Sequence, residues 1–216
     1  MTVVLTTYDW VPEFPRGYVR DLRIRWVLEE LHRPYRIATV PLRDKTATHL
    51  ARQPFHQVPL LRDGEVELFE TGAILLYLAK DTLLLPKDRY WQAVQWVMAA
   101  LNSVEPFSMA WILAKVFDRD EAAAAKREPL LRQRLTQLQA GMADRDWLDG
   151  GDFTVADLLM ADVLRVPAQQ GLLDDLPLLS AYLARATSRP AFQKARDDHM
   201  AHWRAADAAQ PQAAPH

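Results

Sequence analysis

The chain has 216 residues, half of them hydrophobic, and sets 26 Lys+Arg against 28 Asp+Glu for a formal net charge of -2; that is apolar material for one large domain or two small ones, without the broad cationic footprint that nucleic acid or an anionic membrane selects. It contains no cysteine, which removes disulfides, thiolate metal ligands and any protein thiol nucleophile. No uninterrupted apolar run approaches the ~20 residues that cross a bilayer, and Met1-Thr2-Val3-Val4-Leu5 lacks the basic region and cleavage site of a signal peptide and reads as a first strand; a cytoplasmic location is the expectation, with which the absence of cysteine is compatible.

Taken in chain order, Val3-Val4-Leu5-Thr6-Thr7 is short and β-branched and predicts a first strand. The polar, proline-bearing stretch 8–17 predicts a loop. A helix is expected over about 18–31, with Val19, Leu22, Trp26 and Leu31 on one face and Arg20, Arg23, Glu29 and Glu30 turned outward. Tyr35-Arg36-Ile37-Ala38-Thr39-Val40 alternates as a strand, and 44–52 reads as a short helix that Pro54 stops. Strands over 58–61 and 65–69 flank Arg62-Asp63-Gly64, and an Asp-Gly step between apolar runs is a strong hairpin signal. A helix over 71–80 completes the order β-α-β-α-β-β-α, in which the first two strands should be parallel and the hairpin antiparallel.

After Leu85-Pro86-Lys87-Asp88 the pattern turns helical throughout. Helices are expected near 89–118 (bent or broken at Pro106), 121–144, 154–166, 177–187 and 190–203. The expected partition is therefore an α/β domain over 1–82, an all-helical domain over 88–204 and a disordered tail over 205–216.

Two features of the first domain carry chemistry. Pro59 cannot donate to a sheet ladder, so it marks a strand start, a bulge or an edge. A cis Val58–Pro59 bond there would aim the backbone N–H and C=O of Val58 away from the sheet, free to pair with an extended ligand; a plain strand-start proline explains the residue equally. Glu70-Thr71 then stands where the last strand meets an apolar helix. Thr71 as a cap, with the helix amides, suits a carboxylate, and Glu70 suits an ammonium; together they match one α-amino acid end. An ordinary cap with an acidic neighbour is the alternative.

The joint pattern resembles the cytosolic glutathione transferases, without fixing the class. Val58-Pro59-Leu60 resembles that family's cis-proline segment and Glu70-Thr71-Gly72-Ala73-Ile74 its Glu-Ser/Thr-x-Ala-Ile signature. Asp152-Phe153-Thr154-Val155-Ala156-Asp157 resembles the capping-box stretch of its second domain, and Ser188-Arg189-Pro190-Ala191-Phe192 its last-helix entry. The resemblance spans roughly residues 1 to 203. It implies a thioredoxin-like βαβαββα domain followed by an all-α domain, glutathione as co-substrate, no metal, and transfer of the thiol to a small hydrophobic electrophile. It further implies a homodimer with neither nucleic acid nor membrane as partner. Isomerase, dehalogenase or peroxidase chemistry on the same site, or glutathione or partner binding without turnover, are the alternatives.

Carried onto this chain, the resemblance gives Val58, just before Pro59, to the cysteinyl backbone of glutathione and Glu70 and Thr71 to its γ-glutamyl end. Gln57, with Arg52 or His56, falls to the glycyl carboxylate. For the thiol-activating group the candidates, in order, are Tyr18, Arg16 and Tyr8. Trp10, Phe14, Asn102 and Trp111, with Lys115, are the candidates for the electrophile pocket, each with packing as the competing explanation. His199 and His202 stand one turn apart beside Asp197 and Asp198, where a solvated helix face is expected rather than a metal site.

Overall fold

The computed structural model describes residues 2–142 and 145–209. They divide into two compact units: one comprises the chain up to Leu78 together with the chain from Pro190, and the other is Ala79–Arg189.

In the first unit, strands β1 (Val3–Tyr8), β2 (Tyr35–Val40), β3 (Leu60–Asp63) and β4 (Val66–Leu68) form one sheet in the order β2-β1-β3-β4. Helix α1 (Asp21–Glu30) joins β1 to β2, α2 (Ala47–Arg52) joins β2 to β3, and α3 (Thr71–Ala79) follows β4. β1 and β2 run parallel in the register Val3↔Tyr35, while β1–β3 and β3–β4 are antiparallel, as the β-α-β unit and the Asp-Gly step require. Gly64 takes φ 61 at the hairpin turn, a left-handed conformation that glycine adopts without a Cβ clash.

Helix α1 starts at Asp21, not near Tyr18. Residues 13–20 form successive turns, with the Tyr18 N–H bonded to the Pro15 carbonyl at 2.9 Å and Gly17 at φ 83. The expected outward position of Arg23 is also corrected, since it is buried, as is every residue from Asp21 to Leu28. A helix buried all round must be covered on more than its sheet face. The second cover is the last helix, α9 as numbered below.

The helical unit contains α4 (Tyr90–Ala99), α5 (Glu105–Ile112), α6 (Glu121–Met142), α7 (Val155–Gln169) and α8 (Pro177–Thr187). The expected break at Pro106 takes the form of a π-helical stretch, Ala100–Val104, and a second one, Leu113–Phe117, follows α5. Proline lacks an N–H and crowds the preceding turn, and one widened turn absorbs both defects without ending the helix. The helical run Lys87–Phe117 is thus long and apolar enough, by length and composition alone, to cross a membrane; uninterrupted apolar runs in the sequence understated it. In this unit it serves as a core helix, burying Ala93, Val97, Val104, Trp111 and Ile112, with α4 and α5 packed on α7.

Helix α7 is the centre of this unit, buried from Val155 to Leu164. Its start is fixed by Asp157, whose carboxylate accepts from the Thr154 N–H (2.9 Å), the Thr154 hydroxyl (2.9 Å), the Leu148 N–H (2.8 Å) and the Tyr182 hydroxyl (3.2 Å). Burial pushes the Asp157 carboxyl up, and these bonds pull it back.

Helix α9 (Pro190–Ala209) departs from the expected partition. It packs on α1, not in the helical unit: the Trp26 and Phe192 rings meet edge-on at 4.7 Å, and Phe192, Ala195, His199 and Trp203 are its buried stripe. Helical periodicity reports that a face is buried but not against what, so chain order alone misassigned it. The helix also runs through residues 205–209 of the expected tail; the rest of that tail, 210–216, lies outside the described residues, as does the end expected at 144.

Candidate functional site

The register of the sheet brings the predicted pieces of the first unit to one end. β3 pairs with β4 as Leu61↔Leu68 and with β1 as Thr6↔Leu60. Because β3 runs antiparallel to both neighbours, the start of β3, the end of β4 and the end of β1 lie at one end of the sheet, so Val58–Pro59, just before Leu60, and Glu70, two residues past Leu68, leave the sheet at the same end. The Val58–Pro59 bond is cis, and the β1–β3 ladder stops at Leu60. Val58 itself is buried, while the preceding Gln57 is exposed.

Two polar contacts reach from α2, one to this segment and one to β4. The His49 ring, buried, meets the Gln57 carbonyl at 3.0 Å through Nε2, which must donate to that oxygen. Burial pushes the His49 imidazole down, with the Gln57 bond opposing, so the neutral ring that makes this bond is the favoured form near neutrality. Arg52 is engaged by Glu67, its Nε donating to Oε1 at 2.8 Å and its Nη2 to Oε2. It is thus occupied in bracing β4. His56 is exposed at φ 57.

Glu70 sits at the N-cap position of α3 with φ 69, a left-handed conformation that costs a non-glycine residue on the order of 1 kcal/mol. This corrects the expectation that Thr71 caps the helix, because Thr71 is already the first helical residue and is 6 % exposed. The Ile74 N–H is the first to bond into the helix, to the Glu70 carbonyl at 3.0 Å. The amides of Thr71, Gly72 and Ala73 are therefore the orphan donors of a helix start, and they carry the positive end of its dipole. An exposed carboxylate beside three amides presents acceptor and donors to one zwitterionic group.

Of the three candidate activating groups, Tyr8 closes β1 and is half-buried. Burial pushes its phenol up and Arg20 pulls it partly back, so it stays a protonated donor at neutral pH. Lys45 lies 5.2 Å over its ring. Tyr18 is half-buried in the turn before α1. Arg16 is committed elsewhere: its Nε and Nη2 donate to the Val11 carbonyl at 3.2 and 3.0 Å, and its Nη1 and Nη2 bind Asp207 of α9 at 2.5 and 2.6 Å. Trp10 Nε1 donates to the same Asp207 at 2.8 Å, and Phe14 is 50 % exposed.

In the helical unit Asn102 is exposed on the π-helical stretch Ala100–Val104. Trp111 is 1 % exposed, so it packs in the core of that unit and does not wall an open pocket. Lys115 lies 5.9 Å from the Trp111 ring centroid and pairs with Glu121 at 3.3 Å.

Some residues tied to this site were not singled out from the sequence, and others were misread. His49 carried no signal beyond its spacing from Gln57, and Asp207 fell in the expected tail. His199 and His202 were read as solvated. His199 is in fact fully buried and meets Asp21 at 3.1 Å, while His202 Nε2 bonds the Tyr8 carbonyl at 2.9 Å. Among the described residues no group of three or more His, Asp or Glu is arranged to hold a metal ion.

The family model described as "Glutathione S-transferase, N-terminal domain" matches residues 4–80, and "Glutathione S-transferase, C-terminal domain" matches 90–190. A glutathione S-transferase of Hyoscyamus muticus is 30 % identical over 167 residues, covering 70 % of this chain and 79 % of its own. Glutathione S-transferase P of Bos taurus is 29 % identical over 154 residues, 68 % of this chain and 72 % of its own. Among solved structures, a glutathione transferase family member from Pseudomonas fluorescens pf-5 with two glutathione bound superposes at TM-score 0.78 and 22 % identity, over 90 % of this chain and 92 % of that one. A glutathione transferase from Phanerochaete chrysosporium in complex with oxidized glutathione gives 0.80 at 18 %, over 93 % and 97 %. At those identities the structural likeness is one of fold.

Proposed function

Because the chain belongs to the glutathione S-transferase family, we propose that its first unit binds glutathione and activates the thiol for attack on a small hydrophobic electrophile. The observation that carries this reading is the convergence of Val58–Pro59, Glu70–Thr71 and the end of β1 through the sheet registers. In the reading, Glu70 takes the γ-glutamyl ammonium, and the Thr71 hydroxyl with the first α3 amides takes its carboxylate. The backbone of Val58 pairs with the cysteinyl residue. Gln57, exposed beside it, takes the glycyl carboxylate.

A free thiol has a pKa of about 8.5, so little thiolate is present at neutrality. A hydroxyl donating to the sulfur stabilises the anion, and each ~1.4 kcal/mol of that preference shifts the equilibrium about tenfold. Tyr18 and Tyr8 are the donors in this account, in that order; Arg16, with its guanidinium held by Asp207 and the Val11 carbonyl, shapes the loop instead. The thiolate forms a C–S bond to the electrophile as a leaving group departs or as a polarised double bond takes up the electron pair. Holding both reactants aligned supplies further rate. Trp10 and Phe14, in the first unit, belong to the electrophile side of the proposal.

A homodimer completes the reading. Trp91 and Tyr90 at the start of α4 pack edge-on at 5.0 Å while Trp91 stays 75 % exposed, and Phe55, against Phe69 in the first unit, is 62 % exposed. Aromatic side chains left in water on this scale are suited to cover by a second copy. A cytoplasmic location is proposed with the same family expectation.

The test is titration of glutathione into wild-type, Tyr18→Phe and Tyr8→Phe protein with the ultraviolet absorbance of the thiolate as readout. Loss of the thiolate signal in one variant with binding retained identifies the activating hydroxyl. Wild-type binding without any thiolate at neutral pH would sink the catalytic half of the reading.

A further inference from the structure

Every candidate for thiol activation lies in one segment, from Tyr8 to Tyr18, and that segment is tethered to α9 at separate points. The Tyr8 carbonyl accepts from His202 Nε2 at 2.9 Å. Beyond it, Asp207 gathers the loop: one carboxylate oxygen accepts from Trp10 Nε1 at 2.8 Å and Arg16 Nη2 at 2.6 Å, and the other from Arg16 Nη1 at 2.5 Å. Arg16 in turn reaches back to the Val11 carbonyl. One carboxylate, 191 residues along the chain from Arg16, thus joins both ends of the loop's bend. Just past the loop, the first turn of α1 is held by the same helix through Asp21 and His199.

The Arg16 pair is partly solvated, with Asp207 side-chain exposure at 46 %, and an isolated exposed ion pair contributes little to stability. Its two-pronged geometry with a third donor on Trp10 defines a shape more than it stabilises a fold.

We propose that Asp207 is a positioning residue for the reaction: through Trp10 and Arg16 it holds the β1–α1 loop in the arrangement that presents the activating hydroxyl to the glutathione sulfur. This rests on the glutathione-transferase reading above and adds to it a part played by the last helix. Asp207 touches neither reactant in this account. It acts through the loop.

The experiment uses full-length Asp207→Ala, Asp207→Asn and Asp207→Glu proteins, with the indole N–H resonance of Trp10 (identified through Trp10→Phe), the pKa of bound glutathione and steady-state kinetics against a chromogenic aryl halide. Asp207→Ala is expected to move the Trp10 resonance, to raise the bound thiol pKa toward that of free glutathione and to lower kcat/KM about tenfold. Its melting temperature should stay within a few degrees of wild type. Asp207→Glu, which keeps the charge, is expected to recover most of the activity, and Asp207→Asn only the Trp10 contact. A Trp10 resonance that moves while thiol pKa and kcat/KM stay within twofold of wild type would overturn the positioning role. If Asp207→Ala does not fold, the Asn and Glu pair carries the comparison: equal kinetics in the two overturn the requirement for charge at this position, and recovery only in Glu supports it. Wild-type protein that binds no glutathione would instead overturn the underlying reading, and the proposal with it.

Discussion

Glu70 shows most directly how a local rule is broken for a site. Its backbone is left-handed at φ 69, at a helix start, with its side chain exposed. Glycine adopts that conformation without the Cβ clash, so Glu70→Gly separates backbone from charge. The expected outcome is stability unchanged or raised by up to ~1 kcal/mol in urea unfolding, together with at least a tenfold loss of glutathione affinity. A drop in stability with affinity intact would mean that the side chain serves the fold. Pro59 and Glu70 were legible in the sequence because both violate the chemistry of the element they interrupt. Arg16 was legible only as a cation among the candidates for thiol activation; its partner Asp207 is too distant in sequence for any local pattern to reveal.

Among the elements, those with local signals were read closely, including β1, β2 and the Thr154–Asp157 helix start, whereas β3 was read two residues early: Asp63 still pairs with Val66, so the turn falls on Gly64 and Glu65. Helix α9 was read correctly as a helix and wrongly as to its neighbours. The contact that fixes it is the buried set Asp21, Arg25 and His199, with Arg25 Nε on Asp21 at 2.8 Å and His199 Nε2 at 3.1 Å. Burial pushes the Asp21 carboxyl up, but His199 and Arg25 outweigh it and hold its pKa at about 2. Since that lies below the ordinary value of 3.8, the unfolded chain binds the proton first as pH falls. The stabilisation, on the order of 2 kcal/mol, is present above about pH 4 and is lost as the pH drops toward 2. Thermal melts of wild type should therefore fall along an acid limb that Asp21→Asn makes shallower while lowering stability at pH 6. Superimposable acid limbs in the two proteins would contradict the assignment.

At the scale of the whole molecule, the chain is two units whose boundary in sequence is not their boundary in packing, because the last helix returns to the first unit. Composition could bound the number of units and the family resemblance could order them. Neither could say that α1, buried from Asp21 to Leu28, needs a second cover. The exposed Trp91, 75 % accessible on α4, is the whole-molecule counterpart of Glu70, a side chain in a place that the single chain does not explain. In the proposed homodimer, Trp91→Glu is expected to shift the mass from dimer to monomer in sedimentation equilibrium at micromolar concentration, since a charge placed in an apolar contact is costly to desolvate. An unchanged mass would place the dimer contact elsewhere or rule it out.

The account stands most on the claim that Glu70 and the start of α3 receive the amino-acid end of glutathione and so deliver its thiol for ionisation. Titrating glutathione into wild-type and Glu70→Ala protein at neutral pH, with calorimetric affinity and thiolate absorbance read together, tests it. The account predicts micromolar to millimolar binding with a thiolate signal in wild type, and at least a tenfold weaker affinity with the signal lost at the same ligand concentration in Glu70→Ala. Equal affinity and equal thiolate in the two proteins would contradict it.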